Sequence, residues 1–399
     1  MSLEQQIAAL VDSTNALTQE VAGKIGEIDG AASKAIERLD LTLTQRTFAF
    51  KNRIINGDMR IDQRKAGAIQ SGLNFANAST VWIVDRFRSG WNEMPTGRVS
   101  FQQVQDGPPG FGYSAKVSVT TAEQPAADRV ATISHQVEAS NLTDFAWGTA
   151  DAAPAILSFW VKATIPGTYC VAISSGSSAS ETQFIATYVV TAANTWERMT
   201  ISLPGPQTGV WARLGSSAGL RIDWNLGSGT NFSTGTKNAW TQGRFYRTPG
   251  DVNLMEQMGS WQITGVQLEK GSVSTPFEFR PVPVELALCQ RYYYQTDAFD
   301  TIATSDQSGA GALAFGVNAN WCHATNPSPP VPMRTAPTVV VKAAIAPRTS
   351  GTLTDWYTGG AITVSSVSAG PYSPPRIYGV GQFTAARNYA FDFSLNADF

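Results

Sequence analysis

The chain has 399 residues, 43% apolar and only 15% charged, with a net charge of −2. Such a length predicts two or three folded units, and the near-neutral balance excludes a basic footprint for nucleic acid or anionic membrane. Its three cysteines, Cys170, Cys289 and Cys322, are too sparse for a disulfide framework and fit synthesis in a reducing cytoplasm.

The first segment, 1–47, reads as a helix. Its opening MSLEQQIAALVDST carries an early acid and no basic region, so no signal peptide is expected. Nowhere is there an apolar run of roughly eighteen residues, so no membrane insertion is expected. Apolar or small residues recur at Leu3, Ile7, Leu10, Thr14, Leu17, Val21, Ile25, Ile28, Ala32, Ala35 and Leu39. Their spacing alternates three and four, with one stutter between Leu17 and Ile25. Proline is absent, while Gly23, Gly26 and Gly30 each cost about 1 kcal/mol against alanine. A stripe this narrow either folds back on the β region or pairs with copies of itself. Ile25 and Ile28 at adjacent seam positions favour three or four strands over two. The expectation is an α-helical coiled coil with oligomerisation contacts at Leu3, Ile7, Leu10, Leu17, Val21, Ile25, Ile28 and Leu39.

From Phe48 the period changes to two. Ile156–Val161, Tyr169–Ile173 and Phe184–Val190 read as buried strands, and Arg198–Leu203 alternates cleanly. Leu220, Ile222 and Trp224 repeat that alternation, as do Ile133, His135 and Val137. Turn signals at Ile165–Thr168 and Leu203–Pro206 separate strands with no helical period between them. Residues 48–283 are therefore expected to form a β-sandwich of jelly-roll type. Pro276–Pro283 reads as an exit strand and linker.

Residues 284–399 form the third region. Val284–Gln295 starts as a helical turn and becomes a strand at Arg291. Further strands are expected at Leu313–Val317, Thr338–Ala343, Ala361–Val367 and Tyr389–Leu395, which together suggest a second, C-terminal β-sandwich. The fold class is mainly β.

Catalytic signatures are scarce. His135 alternates with core residues, and His323 beside Cys322 has nothing nearby to complete a metal site, so no metal or cofactor is expected. Neither Gly227–Gly235 nor Gly309–Gly316 has the form of a phosphate loop. Asp58, Asp62, Asp85, Asp223, Glu269 and Glu278 lie near recognisable motifs, yet each has a structural role available; Asp85, for example, reads as the partner of Arg86. No enzyme activity is expected. Sugar binding leaves a different trace, namely exposed rings among amide and charged side chains. Trp321, Trp356, Tyr357 and Tyr372 sit in loop-like C-terminal contexts and are the candidate ligand-binding residues. Trp91, Trp224 and Trp240 are weaker candidates in the middle region, where Trp224 alternates with Ile222 as a core residue would.

Three stretches carry a resemblance: KNRIINGDMRIDQR (Lys51–Arg64), ITGVQLEKGSVSTPFEFRPVPVELALCQRYYYQ (Ile263–Gln295) and PVPMRTAPTVVV (Pro330–Val341). Together they resemble the receptor-binding tail fibres of tailed bacteriophages. Residues 80–280, through SFWVKATIPGTYCVAI, NTWERMTISLPG and WQITGVQLEKG, also resemble jelly-roll carbohydrate-binding modules. The resemblance implies a virion protein made in the host cytoplasm, an elongated homotrimer that docks to tail or baseplate proteins by its N-terminal segment. Its C-terminal region would meet a host surface glycan or a pilus-type protein. A glycan-degrading tailspike-type enzyme and a purely structural tail component are the alternatives. The shared words themselves read as scaffold, and this chain departs from many relatives in ending LNADF.

Overall fold

The computed structural model describes residues 2–47, 50–75, 81–92, 94–175, 181–296, 312–318, 320–326, 328–343, 350–355, 357–358, 360–371, 376–378, 383–385 and 387–399. The chain divides into two compact units, Met1–Lys51 and Asn52–Phe399.

The first unit is a single helix, Leu3–Thr47. Ser2 and Gln5 start it reciprocally: the Ser2 N–H donates to Gln5 Oε1 at 3.1 Å, and the Gln5 N–H donates to Ser2 Oγ at 3.3 Å. That is a capping box, which satisfies backbone donors the first turn cannot. Leu3, Ile7, Leu10, Leu17, Val21, Ile25 and Ile28 are all exposed in the protomer; the side chain of Leu39 lies outside the described residues. Nothing stands within 4 Å of where a Cβ would sit at Gly23, Gly26 or Gly30.

In the second unit, the first sheet has six strands in the order Gln70–Phe75, Met94–Val104, Ser114–Thr121, Ser260–Lys270, Ala155–Ala163, Glu197–Leu203. A seven-stranded sheet follows the order Trp240–Gln242, Thr182–Val190, Gly167–Ser174, Ala218–Ser228, Val130–Glu138, Phe87–Asn92, Trp82–Val84. Alternation turns Phe101, Val117, Phe159 and Ile263 of one sheet against Ile133, Ile173, Ile222 and Trp224 of the other, in one shared core. Phe159 meets Trp224 edge-on at 5.8 Å, and Trp261 Nε1–H donates to the Tyr188 hydroxyl at 3.2 Å across the sheets. The two sheets are thus a β-sandwich. Trp224 and His135 are core residues, as their spacing predicts. Burial and the neighbouring Arg86 guanidinium hold His135 well below the usual imidazole range, so it packs neutral. The run Tyr169–Ile173 is apolar on both faces because Cys170 and Ala172, facing outward, are covered by Phe232, Phe245 and Tyr246.

Beyond the sandwich, Pro281 and Pro283 bracket the start of a helix, Val282–Gln290. Nine strands then form one sheet: Tyr293–Gln295, Ala312–Asn318, Trp321–Asn326, Thr338–Ala343, Thr352–Asp355, Ala361–Thr363, Ser366–Ser368, Arg376–Tyr378 and Asn388–Asn396. Among the described residues the strands are hydrogen-bonded into this one sheet through the strand Asn388–Asn396, which pairs with two strands end to end along each of its edges. Its Tyr389, Phe391, Phe393 and Leu395 pack with Ala314, Val341 and Leu353 in a second core. The expected strand Ala361–Val367 is two short strands.

The stretches Lys51–Arg64 and Ile263–Gln295 converge on one buried polar hub. Asn52 acts as an extra rung beside the bulged closing strand: its Nδ2 donates to Val266 O at 3.1 Å, and its Oδ1 accepts from Leu268 N–H at 3.0 Å. Asn56, in a left-handed conformation at φ 60°, bonds Ile61 and the Asp85 carbonyl through its side chain. At Gly57 a Cβ would lie 2.1 Å from Val266 O, so only glycine admits this approach. Arg280 donates to the carbonyls of Asn52 and Ile54 and pairs with Glu285 at 3.3 Å, both partners buried. Removing one member of a buried pair strands the other. Arg280→Ala should therefore cost about 3–5 kcal/mol, read from urea unfolding, and a loss under about 1 kcal/mol would refute the hub's role.

A second set of ion pairs joins the nine-stranded region to the sandwich. Arg86 pairs with Asp398 at 2.7 Å while its guanidinium lies 3.5 Å from the Tyr292 ring centroid. Arg291 is bidentate to Glu138 at 2.8 and 2.9 Å. Asp85, expected to pair with Arg86, instead faces Arg64 at 3.3 Å and Gln63 Nε2. The turn aims the Arg86 side chain away, at φ 69°. Burial pushes the Asp85 carboxyl up to about 6 against the pull of Arg64. Unfolded, the same group titrates near about 3.9. Between those values the folded chain holds more protons, so this group's contribution to stability falls as pH rises from about 4 to about 6. Asp85→Asn should flatten that part of the stability curve in urea titrations; an unaltered curve would exclude Asp85 as its source.

Candidate functional site

Strand register sets a polar row on the outward face of the six-stranded sheet. Gln102, Lys116, Gln262 and Lys162 lie side by side across four strands, while Phe101, Val117, Trp261 and Ala163 in the adjacent row point into the core. The loop 105–113, sequence QDGPPGFGY, lies against this face. It turns tightly at Gly107, where a Cβ would lie 2.4 Å from Phe111 O.

Asp106 fixes the loop to the sheet. Its carboxylate pairs with the Lys162 ammonium and accepts from Trp196 Nε1–H at 3.3 Å. The same ammonium lies 5.2 Å from the Trp196 ring centroid. Burial opposes the charged carboxylate, yet hydrogen bonds from Lys162, Trp196 and Gln262 hold Asp106 below the ordinary range. Asp106 is thus a fixed anion, already matched.

Two adjoining hollows open beside this arrangement. One, of about 570 Å³, is lined by Gln105, Asp106, Gly107, Phe111, Gly112 and Tyr113. The other, of about 410 Å³, is lined by Ala66, Gly67, Gln102, Gln103, Val104, Gln105 and Tyr113. Gln105 and Tyr113 border both. Gln102 and Gln103 donate their amide N–H groups to Gly67 O (3.1 Å) and Met59 O (2.6 Å), which aims their carbonyl oxygens as fixed acceptors. Phe111 continues the aromatic lining, packing 5.2 Å from Phe277 and 5.1 Å from Phe279, and Phe279 is half exposed. The combination suits a hydroxyl-rich ligand: apolar ring faces to stack on, and neutral amides to bond with, in hollows of ordinary ligand size.

The sequence-derived candidates fare unevenly. Tyr357 is exposed (64%) and well supported: its N–H donates to Asp355 Oδ1 at 2.9 Å, Arg387 pairs with Asp355 at 3.1 Å, and the Arg387 guanidinium lies 5.4 Å from the ring. Trp356 and Tyr372 lie outside the described residues, and Trp321 is described only in its backbone, within a strand. Trp240 sits in a cluster with Trp147 and Trp211, 5.5 and 5.4 Å away, and its Nε1–H is taken by Pro204 O; the Trp91 side chain lies outside the described residues. Sequence reading missed Trp196, Phe111, Tyr113 and Asp106. The loop-aromatic criterion that selected Tyr357 would have found Phe111 and Tyr113 in DGPPGFGY, had it been applied to the middle region.

The acids singled out from sequence are held in structural contacts. Asp58 pairs with Arg60 at 3.0 Å, Asp223 with Arg221 at 2.6 Å, and Glu278 with Arg280 at 3.3 Å. Glu269 caps Thr275 N–H at 2.9 Å, and Asp62 caps Gly67 N–H at 2.9 Å. Among the described residues no group of three or more His, Cys, Asp or Glu is placed to hold a metal ion, and no helix is long and apolar enough to cross a membrane.

No protein-family model and no curated protein matches the chain. Among solved structures it is similar to the enzymatically active domain of tailspike protein 4 from bacteriophage CBA120, at 14% identity and a TM-score of 0.30 over 55% of this chain. That match spans 22% of the tailspike domain chain. A putative sugar-binding protein from Bacteroides thetaiotaomicron is similar at 12% identity and TM-score 0.29, over 55% of this chain and 100% of that one. A family 11 carbohydrate-binding module from Clostridium thermocellum, in complex with a mixed-linked tetrasaccharide, gives 11% identity and TM-score 0.26 over 53% and 99%. Likenesses this distant leave function to be read from the site itself.

If Asp106 positions Trp196, Asp106→Ala should free the ring. Acrylamide quenching of Trp emission should rise while stability shifts by no more than about 1 kcal/mol, as for a partly exposed pair. Unchanged quenching would mean that Trp196 is held by other contacts.

Proposed function

We propose that this chain is a tail-fibre protein of a tailed bacteriophage, a non-catalytic adhesin that binds glycan on the host surface. In this reading the helix Leu3–Thr47 self-associates as a three-stranded coiled coil, its N-terminal part docks to tail or baseplate proteins, and the jelly-roll-type sandwich and the nine-stranded region are displayed in three copies on the virion. One observation carries the binding assignment: the paired hollows of amide acceptors and aromatic rings around the fixed Asp106. Asp106 is the one carboxylate lining them among the described residues, and its partners already neutralise it. A glycosidase needs two carboxylates facing one bond, roughly 5–10 Å apart. The exposed seam from Leu3 to Ile28 supports self-association, since a 45-residue helix with an uncovered apolar stripe gains burial only from a partner. Tyr357, with Arg387 and Asp355, is a second ring-and-charge surface on which a surface protein such as a pilus could dock at the fibre tip.

Two measurements test the reading. The purified chain should be retained by immobilised host polysaccharide without releasing reducing ends, and should compete with phage for adsorption. Trp196→Ala and Tyr113→Ala should lower retention at least tenfold with the fold intact, consistent with stacking worth about 0.5–1.5 kcal/mol per ring plus the lost area. Release of reducing ends would replace the adhesin with an enzyme. For the stalk, replacing Ile25 and Ile28 with Asp should reduce a trimeric mass in light scattering to that of the monomer, and a persistent trimer would remove the helix as its cause.

A further inference from the structure

We infer that the two hollows are successive subsites of one site, filled by a stretch of glycan chain at least two linked units long that crosses Tyr113. The inference rests on the glycan-binding reading above and specifies the form of its ligand.

The hollows meet at the neck of a hairpin. Strands Met94–Val104 and Ser114–Thr121 pair antiparallel up to Val104 and Ser114. Gln105 and Tyr113 are the next residue on each side, and these two line both hollows. On the loop side Asp106 and Phe111 line the larger hollow; on the strand side Gln102 and Gln103 line the smaller one. Both sides are held in place. The loop closes on itself where Phe111 N–H donates to Pro108 O at 2.9 Å, and the pairing of Asp106 with Lys162 ties it to the sheet. The Gln102 and Gln103 amides bond Gly67 O and Met59 O, which ties the strand side to the preceding turn. The spacing between the hollows is therefore set by the ladder and its anchors.

The two hollows also differ in chemistry, so one does not substitute for the other. The larger presents the Phe111 ring and the Asp106 carboxylate, the smaller a pair of amides. A single sugar unit occupies one hollow and leaves the groups of the other to water. A second unit linked to the first arrives without a further loss of translational freedom. Its effective concentration at the second hollow reaches the millimolar range when the linkage matches the spacing. Affinity should therefore climb steeply with chain length and level off once both hollows are filled.

The test uses the full chain and size-fractionated oligosaccharides, from the single unit upward, made by partial hydrolysis of a host polysaccharide that retains it. Each fraction competes against the immobilised polymer. The single unit should compete roughly a hundredfold more weakly than the fraction at which affinity levels off. Phe111→Ala alters the larger hollow alone and should remove most of that gain. The wild-type series decides by itself should the variant lose its fold. A single unit that competes as well as the longest fraction, or a gain undiminished in folded Phe111→Ala, overturns this inference and leaves the glycan reading standing. Retention by no host polysaccharide overturns both.

Discussion

Everything in the larger unit is hung from the buried contact between Arg280 and the segment around Asn52. The guanidinium reaches the carbonyls of Asn52 and Ile54 and the carboxylate of Glu285, so one side chain joins the entry segment, the exit segment and the short helix. Gly57 and Asn56 supply the close approach and left-handed turn that let the entry segment lie along the closing strand. Burying a pair of charges rarely adds net stability, because desolvation offsets the attraction. It does penalise every arrangement in which one partner is left alone. The hub therefore specifies how the strands before, within and after the sandwich are ordered, and the sandwich core supplies most of the favourable burial.

That division of labour explains the placement of the candidate site. The row Gln102–Lys116–Gln262–Lys162 stands on four hydrogen-bonded strands whose opposite faces are core, so its spacing is set by the ladder and not by loop conformation. The loop 105–113 contributes rings and Asp106, and the pairing of Asp106 with Lys162 and Trp196 removes the freedom a loop would otherwise have. Preorganisation of this kind lowers the ordering cost of binding. On the opposite sheet the equivalent outward face is filled by the chain itself, through Phe232, Phe245 and Tyr246.

Much of this architecture is legible in the residues, for reasons that differ by element. The helix follows from its period and its lack of proline. The sandwich strands follow from alternation, and Trp224 and His135 were placed in the core by their neighbours alone. The single C-terminal sheet was not legible, because one strand, Asn388–Asn396, recruits two partners per edge, and register between distant segments leaves no local trace. The misplaced partner of Asp85 has the same origin: sequence proximity favoured Arg86, whereas the positive φ at Arg86 sends it to Asp398, more than three hundred residues away. Lys162, Trp196 and Asp106 come from three separate segments, so only the fold shows that they meet. The exposure of Tyr357 was legible because a ring in a polar turn can be recognised within a few residues.

Ligand held on the face built around Gln102–Tyr113 is the central claim. Hydrogen–deuterium exchange of the full chain with and without a retained host oligosaccharide addresses this directly. Exchange should slow chiefly in 102–113 and 193–198. Slowed exchange confined to the nine-stranded region, with 102–113 unaffected, would contradict it.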